Sequence, residues 1–111
     1  MDVVNADDVA REKVELEGAE KAWIRWLVGH NRDSAAFAMR VFELEPGGCT
    51  PYHSHSQHHE MFILEGTATL VGEGGERDVG PGTAVYVPGG EYHQVRNRTE
   101  GVLRFICCVS K

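Results

Sequence analysis

The chain lacks the features that mark three broad classes of protein. It has 11 Lys and Arg against 17 Asp and Glu, a formal net charge of −6. No basic block exists to neutralise phosphates, so neither nucleic acid nor an anionic membrane surface is an expected partner. No apolar run approaches the roughly 18 residues that crossing a bilayer requires. The opening residues, MDVVNADDVAREKVELEG, are acidic and have no apolar h-region, so no secretory signal is read there. The three cysteines, Cys49, Cys107 and Cys108, are an odd and badly spaced set for a disulfide framework. Neighbouring Cys107 and Cys108 would project to opposite faces of a strand and make a poor pair. These absences lead to the expectation of a cytoplasmic protein. Convincing helical periodicity and low-complexity tracts are also missing.

What is present suits an all-β domain. A chain of 111 residues, 41% hydrophobic and 25% charged, can bury its own core as one domain. Thirteen glycines fall between short apolar runs, where turns lie in sandwiches and barrels. Residues 1–22 read as an N-terminal arm or edge strand, with Val3, Val4, Val9, Val14 and Leu16 spaced along it. Residues 23–111 read as the β-barrel domain. Strands are expected over Ala22–Val28, Phe37–Glu45, Glu60–Leu64, Thr67–Val71, Glu76–Val79, Thr83–Val87, Tyr92–Asn97 and Val102–Val109. Pro46-Gly47-Gly48, Gly72–Gly75 and Gly80-Pro81-Gly82 are expected to end strands. In AWIRWLV both alternating faces are largely apolar, which calls for cover on both sides. A second copy of the chain would supply that cover, so a homodimer is expected.

Gly47–Gly66 reads GGCTPYHSHSQHHEMFILEG, with His53, His55, His58 and His59 inside seven residues and His93 following a second Gly/Pro-rich segment. Imidazole is the commonest metal ligand near neutral pH. A His-x-His pair in a strand turns both rings to one face. Along the next run His59, Met61 and Ile63 share one face, and Glu60, Phe62 and Leu64 the other. The pattern points to a mononuclear metal site inside a small β-barrel.

The spacing is more specific than that. Gly47, five residues, His53-x-His55, three residues, His59, six residues, Gly66 resembles the first motif of the cupin superfamily. Gly82, five residues, Pro88-x-Gly90, two residues, His93, three residues, Asn97 is similar to its second motif at every fixed position. The resemblance implies a single-domain cupin, a double-stranded β-helix or jelly-roll barrel. It also implies a metal site of His53, His55, His59 and His93, as in four-histidine manganese-type cupins. Most cupins carry Glu at the position of His59, and because a four-residue gap is tolerated there, Glu60 stands as runner-up ligand. One divalent transition metal per chain is implied, Mn or Fe first, with Zn, Ni and Cu also compatible with imidazole. Four neutral imidazoles leave the full +2 charge of the ion uncompensated, which favours anionic ligands. Two coordination positions would stay free for water, substrate or dioxygen.

Other residues carry plainer expectations. Met39, Met61, Ile63, Phe105 and Cys107 are candidate pocket-lining residues, and Phe37 is grouped with them in the core. Arg40, alternating with Ala38 and Phe42, is expected first as an exposed or interface guanidinium, with an anion-binding group in the barrel as the alternative. His58 is expected to point away from the metal, and His30 to lie in a surface turn. Asn97 and the motif glycines and prolines read as turn and hydrogen-bond fixtures. The functions this pattern allows are a metal-dependent oxygenase of dioxygenase type, a redox-neutral isomerase, lyase or decarboxylase, and a non-catalytic metal-dependent binder. Each would take a small organic molecule, and dioxygen is a second partner for the first.

Overall fold

The alternating apolar runs become nine strands of one curled sheet in the computed structural model, which describes residues 1–111. They are β1 (Glu12–Lys13), β2 (Glu20–Val28), β3 (Phe37–Cys49), β4 (His59–Glu65), β5 (Ala68–Gly72), β6 (Gly75–Val79), β7 (Ala84–Val87), β8 (His93–Arg96) and β9 (Leu103–Ser110). The sheet order is β6-β5-β8-β3-β9-β4-β7, with β2 on the other edge of β3 and β1 on β2. The only helical element is a three-residue 3-10 turn, Ala6–Asp8, capped by Asn5. This is the all-β jelly-roll expected from the sequence. The curl brings Ala68 of β5 and Val95 of β8 into one core with Met61 and Ile63 of β4, Leu103, Phe105 and Cys107 of β9, and Leu44 of β3.

β3 departs from expectation by running on through Pro46-Gly47-Gly48 to Cys49. Between the pairs Glu20↔Cys49 and Ala22↔Leu44, the single residue Lys21 faces four residues of β3. The strand bends across this bulge and changes partners, pairing with β8 at Cys49↔Arg96. Glycine is needed at the bend. Gly47 has φ +82, and a Cβ on Gly48 would lie 2.7 Å from the Lys21 carbonyl oxygen.

The inner face of β3 is the opposite of the one expected for Phe37 and Met39. Leu44 and Phe42 pair with Leu103 and Phe105 of β9 on the inside, and the ladder runs unbroken from there to Phe37↔Ser110. With period two, Arg40 and Ala38 then point inward, and Met39 and Phe37 outward. Phe37 is 65% exposed and Met39 36%, whereas Arg40 is only 9% exposed. Met39 therefore lies on the outer face, away from the histidine cavity, and Arg40 is not an exposed guanidinium.

The second face of β2 finds part of its cover within the chain. Arg11 stacks over Trp23 at 4.1 Å, and Arg25 donates to the carbonyls of Ala6 and Val9 and to Glu43. This ties the first dozen residues onto the outer side of the sheet.

Asn97 fixes the end of β8 against the bend in β3. Its buried amide nitrogen donates to the Leu44 and Gly101 carbonyls at 2.9 and 2.8 Å, and its Oδ1 accepts from the Thr99 amide and hydroxyl. Its backbone exchanges two further bonds with Gly47 and Gly48. Asn97→Ala strands several buried backbone groups, and chemical denaturation is expected to report a loss of about 2–4 kcal/mol.

Candidate metal centre

Histidines 53, 55 and 93 converge because two irregular segments are stitched together by backbone. His53-x-His55 does not lie in a strand, as its spacing had suggested. Residues 50–58 form a loop whose one ladder contact is an isolated antiparallel bridge between His53 and His93. The two residues exchange both N–H···O=C bonds, at 3.2 and 3.0 Å, so their side chains leave the same patch of backbone. The Pro88–Gly90 turn locks His55 in place through Gly90 N–H donating to the His55 carbonyl at 2.7 Å. That docking is close: a Cβ on Gly89 would sit 2.3 Å from the Ser56 carbonyl oxygen.

One ligand atom from each of His53, His55 and His93 lies within 4.8 Å of the others. Their hydrogen bonds also set the ring chemistry a metal needs. His55 Nδ1 lies 3.1 Å from the Gln57 carbonyl oxygen and His93 Nδ1 2.9 Å from that of Glu91. A carbonyl can only accept, so Nδ1 carries the proton in both rings and Nε2 keeps its lone pair. His55 Nε2 is buried and has no protein partner. An orphaned acceptor between two other imidazoles fits a cation, so these residues match the metal that the sequence implied.

His59 stands beside this trio. Its ring centroid is 4.4 Å from that of His55 and 5.4 Å from that of His93. Its Nδ1 is 3.3 Å from the Cys107 sulfur, which leaves Nε2 as the nitrogen available to the cluster. Glu60, the runner-up ligand, pairs with Tyr86 and Cys108 on the exposed outer face and is removed from the site. His58 also faces outward, where its Nδ1 accepts from the Tyr86 hydroxyl and the Gly89 amide.

The trio opens onto a cavity lined by His53, His59, His93, Arg40, Phe42, Thr50, Pro51, Met61, Phe105 and Cys107, with Val14 and Leu16 at its rim. It is small and open at its mouth, with room for a small molecule only. Of the expected lining residues, Met61, Phe105 and Cys107 are here, and Ile63 is fully buried core. No carboxylate lines the cavity. Arg40 stands where the second of its two expected placements had it, inside the barrel. Its alternation with Ala38 and Phe42 was the available signal.

The electrostatics favour the neutral form of His53, His55 and His59. Burial, then the nearby His55 and His93, lowers the pKa of His53; burial, then His93, lowers that of His55. His59 is pushed down to about 3, first by burial and then by the Arg40 charge. Neutral imidazole is the form that ligates.

Comparison with known proteins supports the architecture. Residues 40–109 match the family described as Cupin domain. Among solved structures, the polyketide cyclase RemF from Streptomyces resistomycificus superposes with a TM-score of 0.91 at 34% identity, covering 99% of this chain and 79% of that one. A predicted oxalate decarboxylase from Thermotoga maritima superposes with a TM-score of 0.88 over 97% of both chains, and at 19% identity this likeness concerns the fold alone. A curated relative, the 1-methylthio-D-xylulose 5-phosphate methylsulfurylase of Rhodospirillum rubrum, is 32% identical over 72 residues, which are 65% of this chain. The chain spans about half of that relative's length, 46%.

Two predictions follow from the geometry. Elemental analysis is expected to find about one divalent metal per chain, lost in His53→Ala, His55→Ala and His93→Ala and retained in Glu60→Ala. The metal-free protein should also be acid-sensitive. Between pH 6.5 and about 3 the unfolded chain holds a proton on His59 that the folded chain does not, so stability falls as pH falls through that window. Thermal unfolding from about pH 7 to about pH 4 should show this fall, and His59→Gln should lessen it.

Proposed function

The chain belongs to the Cupin domain family, and on that premise we propose that it is a metal-dependent enzyme of redox-neutral chemistry acting on a small carbonyl compound. The observation that carries the reading is the convergence of three imidazole ligand atoms within 4.8 Å beside a cavity that Phe42, Met61 and Phe105 also line. We take His59 as the fourth ligand, through Nε2, with its Nδ1–H donating to the Cys107 sulfur. A divalent ion held there supplies Lewis acidity toward a carbonyl oxygen. The imidazole set alone does not choose between Mn, Fe and Zn.

The family membership does not select a reaction, because one barrel hosts many chemistries. The choice of redox-neutral over oxygenase chemistry is supported by the polyketide cyclase at 34% identity across nearly the whole chain. Cyclisation of a polyketone forms a carbon–carbon bond between an enolate carbon and a carbonyl carbon, and it consumes no oxidant. The enolate arises when a carbon between two carbonyls gives up its proton to water at the cavity mouth, and the alkoxide formed at the attacked carbonyl takes a proton back. Such a carbon needs only a weak base, which suits a cavity with no carboxylate among its lining residues. The chain's own part is to exclude water from the reacting face with Phe42, Met61 and Phe105, and to orient the oxygens toward the histidine wall.

The test is turnover of short β-polyketones by Mn-, Fe- and Zn-loaded protein, in air and under anaerobic conditions. Equal product formation in both atmospheres, with no oxygen uptake and loss in His53→Ala, is the expected result. Stoichiometric oxygen consumption would move the protein to the oxygenases. A full complement of metal with no turnover of any compound would leave it a binding module.

A further inference from the structure

A buried positive charge without a partner stands next to the metal site. Arg40 is 9% exposed on the inner face of β3, and no carboxylate lies within ion-pairing distance of it. The ion pairs of the chain involve Arg11, Arg25, Arg32, Arg98 and Arg104 only. Glu12 and Glu15 line an adjoining cavity that Arg40 also reaches, but neither pairs with it. Its one hydrogen bond is from Nη2 to the Cys107 sulfur at 3.0 Å, and its Nε is buried with no acceptor at all. The guanidinium is held between the rings of Trp26 and Phe42, at 5.4 and 5.0 Å, which fix its plane without neutralising it.

Desolvating a cation with no counter-charge costs several kcal/mol, so a fold does not gain stability from it. Its place explains it better than its packing does. Arg40 lines the cavity together with His53, His59 and His93, and a single sulfur atom separates its Nη2 from His59 Nδ1. A guanidinium offers a planar fork of donors that matches the two oxygens of a carboxylate, or the delocalised oxygens of a 1,3-dicarbonyl enolate. With this guanidinium beside the histidines and no acid among the lining residues, the cavity draws negative charge. Phe42, Met61, Phe105 and Pro51 supply the apolar remainder.

We propose that Arg40 is the substrate-anion receptor of this cavity, taking the carboxylate or enolate oxygens of a small organic anion whose body is apolar. The proposal rests on the reading that a small organic substrate enters here, and it narrows that substrate to an anion. It also assigns the unpaired Nε and the free Nη donors a partner that the protein does not provide.

Benzoate and its neutral analogue benzamide are suitable probes, with binding read by calorimetry and by Trp26 fluorescence, on metal-free and Zn-loaded protein. Wild type is expected to bind benzoate at least about tenfold more tightly than benzamide in both forms. Arg40→Gln should lose that preference while keeping its metal content, and Arg40→Lys should keep part of it. Benzoate should raise the thermal midpoint of wild type and not that of Arg40→Met. Without ligand, Arg40→Met should unfold at a higher temperature than wild type, because an uncompensated buried charge is gone; a merely structural arginine would give the reverse. Equal binding of benzoate and benzamide by wild type, or unchanged benzoate affinity in a folded Arg40→Gln protein, overturns the proposal. The wild-type comparison decides even where a variant does not fold. If no metal binds but metal-free protein still prefers benzoate through Arg40, the anion receptor stands and the metalloenzyme reading falls.

Discussion

The site depends on two backbone hydrogen bonds, those that pair His53 with His93. They join a loop to a strand forty residues away in the chain, and they do so at the residues whose side chains carry the chemistry. Flanking contacts protect this bridge. Thr50 pairs with Val95 on one side, and Gly90 pairs with His55 on the other. Because backbone rather than side-chain packing brings the imidazoles together, the cluster does not need an acidic residue to hold it. Its rings are oriented instead by carbonyls, those of Gln57 and Glu91.

Electrostatics follow from that arrangement. The imidazoles pack ring to ring at 4.4–5.4 Å, and the positive charge of Arg40, after burial, helps hold His59 neutral. The protein thus tolerates a cavity that is polarised in one direction and unsatisfied within the chain. Such a cavity is poor for stability, which is the ground for assigning an anion to it. Cys107 is the joint in this structure. Buried at 1% exposure, its sulfur touches Arg40 on one side and His59 on the other, so the guanidinium and the imidazole share one atom.

Several features were legible in the residues. The Gly- and Pro-punctuated apolar runs marked eight of the nine strands within a few residues, because turn chemistry and period-two alternation are local properties. The hairpin at Gly72–Gly75 and the inward set Leu103, Phe105 and Cys107 were readable for the same reason. Others were not. That β3 continues past Pro46-Gly47-Gly48 depends on a bulge against Lys21 and on two bonds from Asn97, and both partners are distant in sequence. Local propensity sees a turn there, and tertiary pairing overrides it.

The sequence by itself determined which side chains are available and at what spacing: His53, His55, His59 and His93 between their glycines, with all-β turns around them. Spacing is enough for this, since it fixes which residues a short loop or strand can present together. Only the tertiary structure decided which face of β3 is inside. That choice sent Met39 and Phe37 outward and drew Arg40 into the cavity. Its physical reason is register. Eight consecutive pairs with β9, anchored by Leu44↔Leu103 and Phe42↔Phe105, set the parity of the whole strand, and a residue's own hydrophobicity has no power to reverse it.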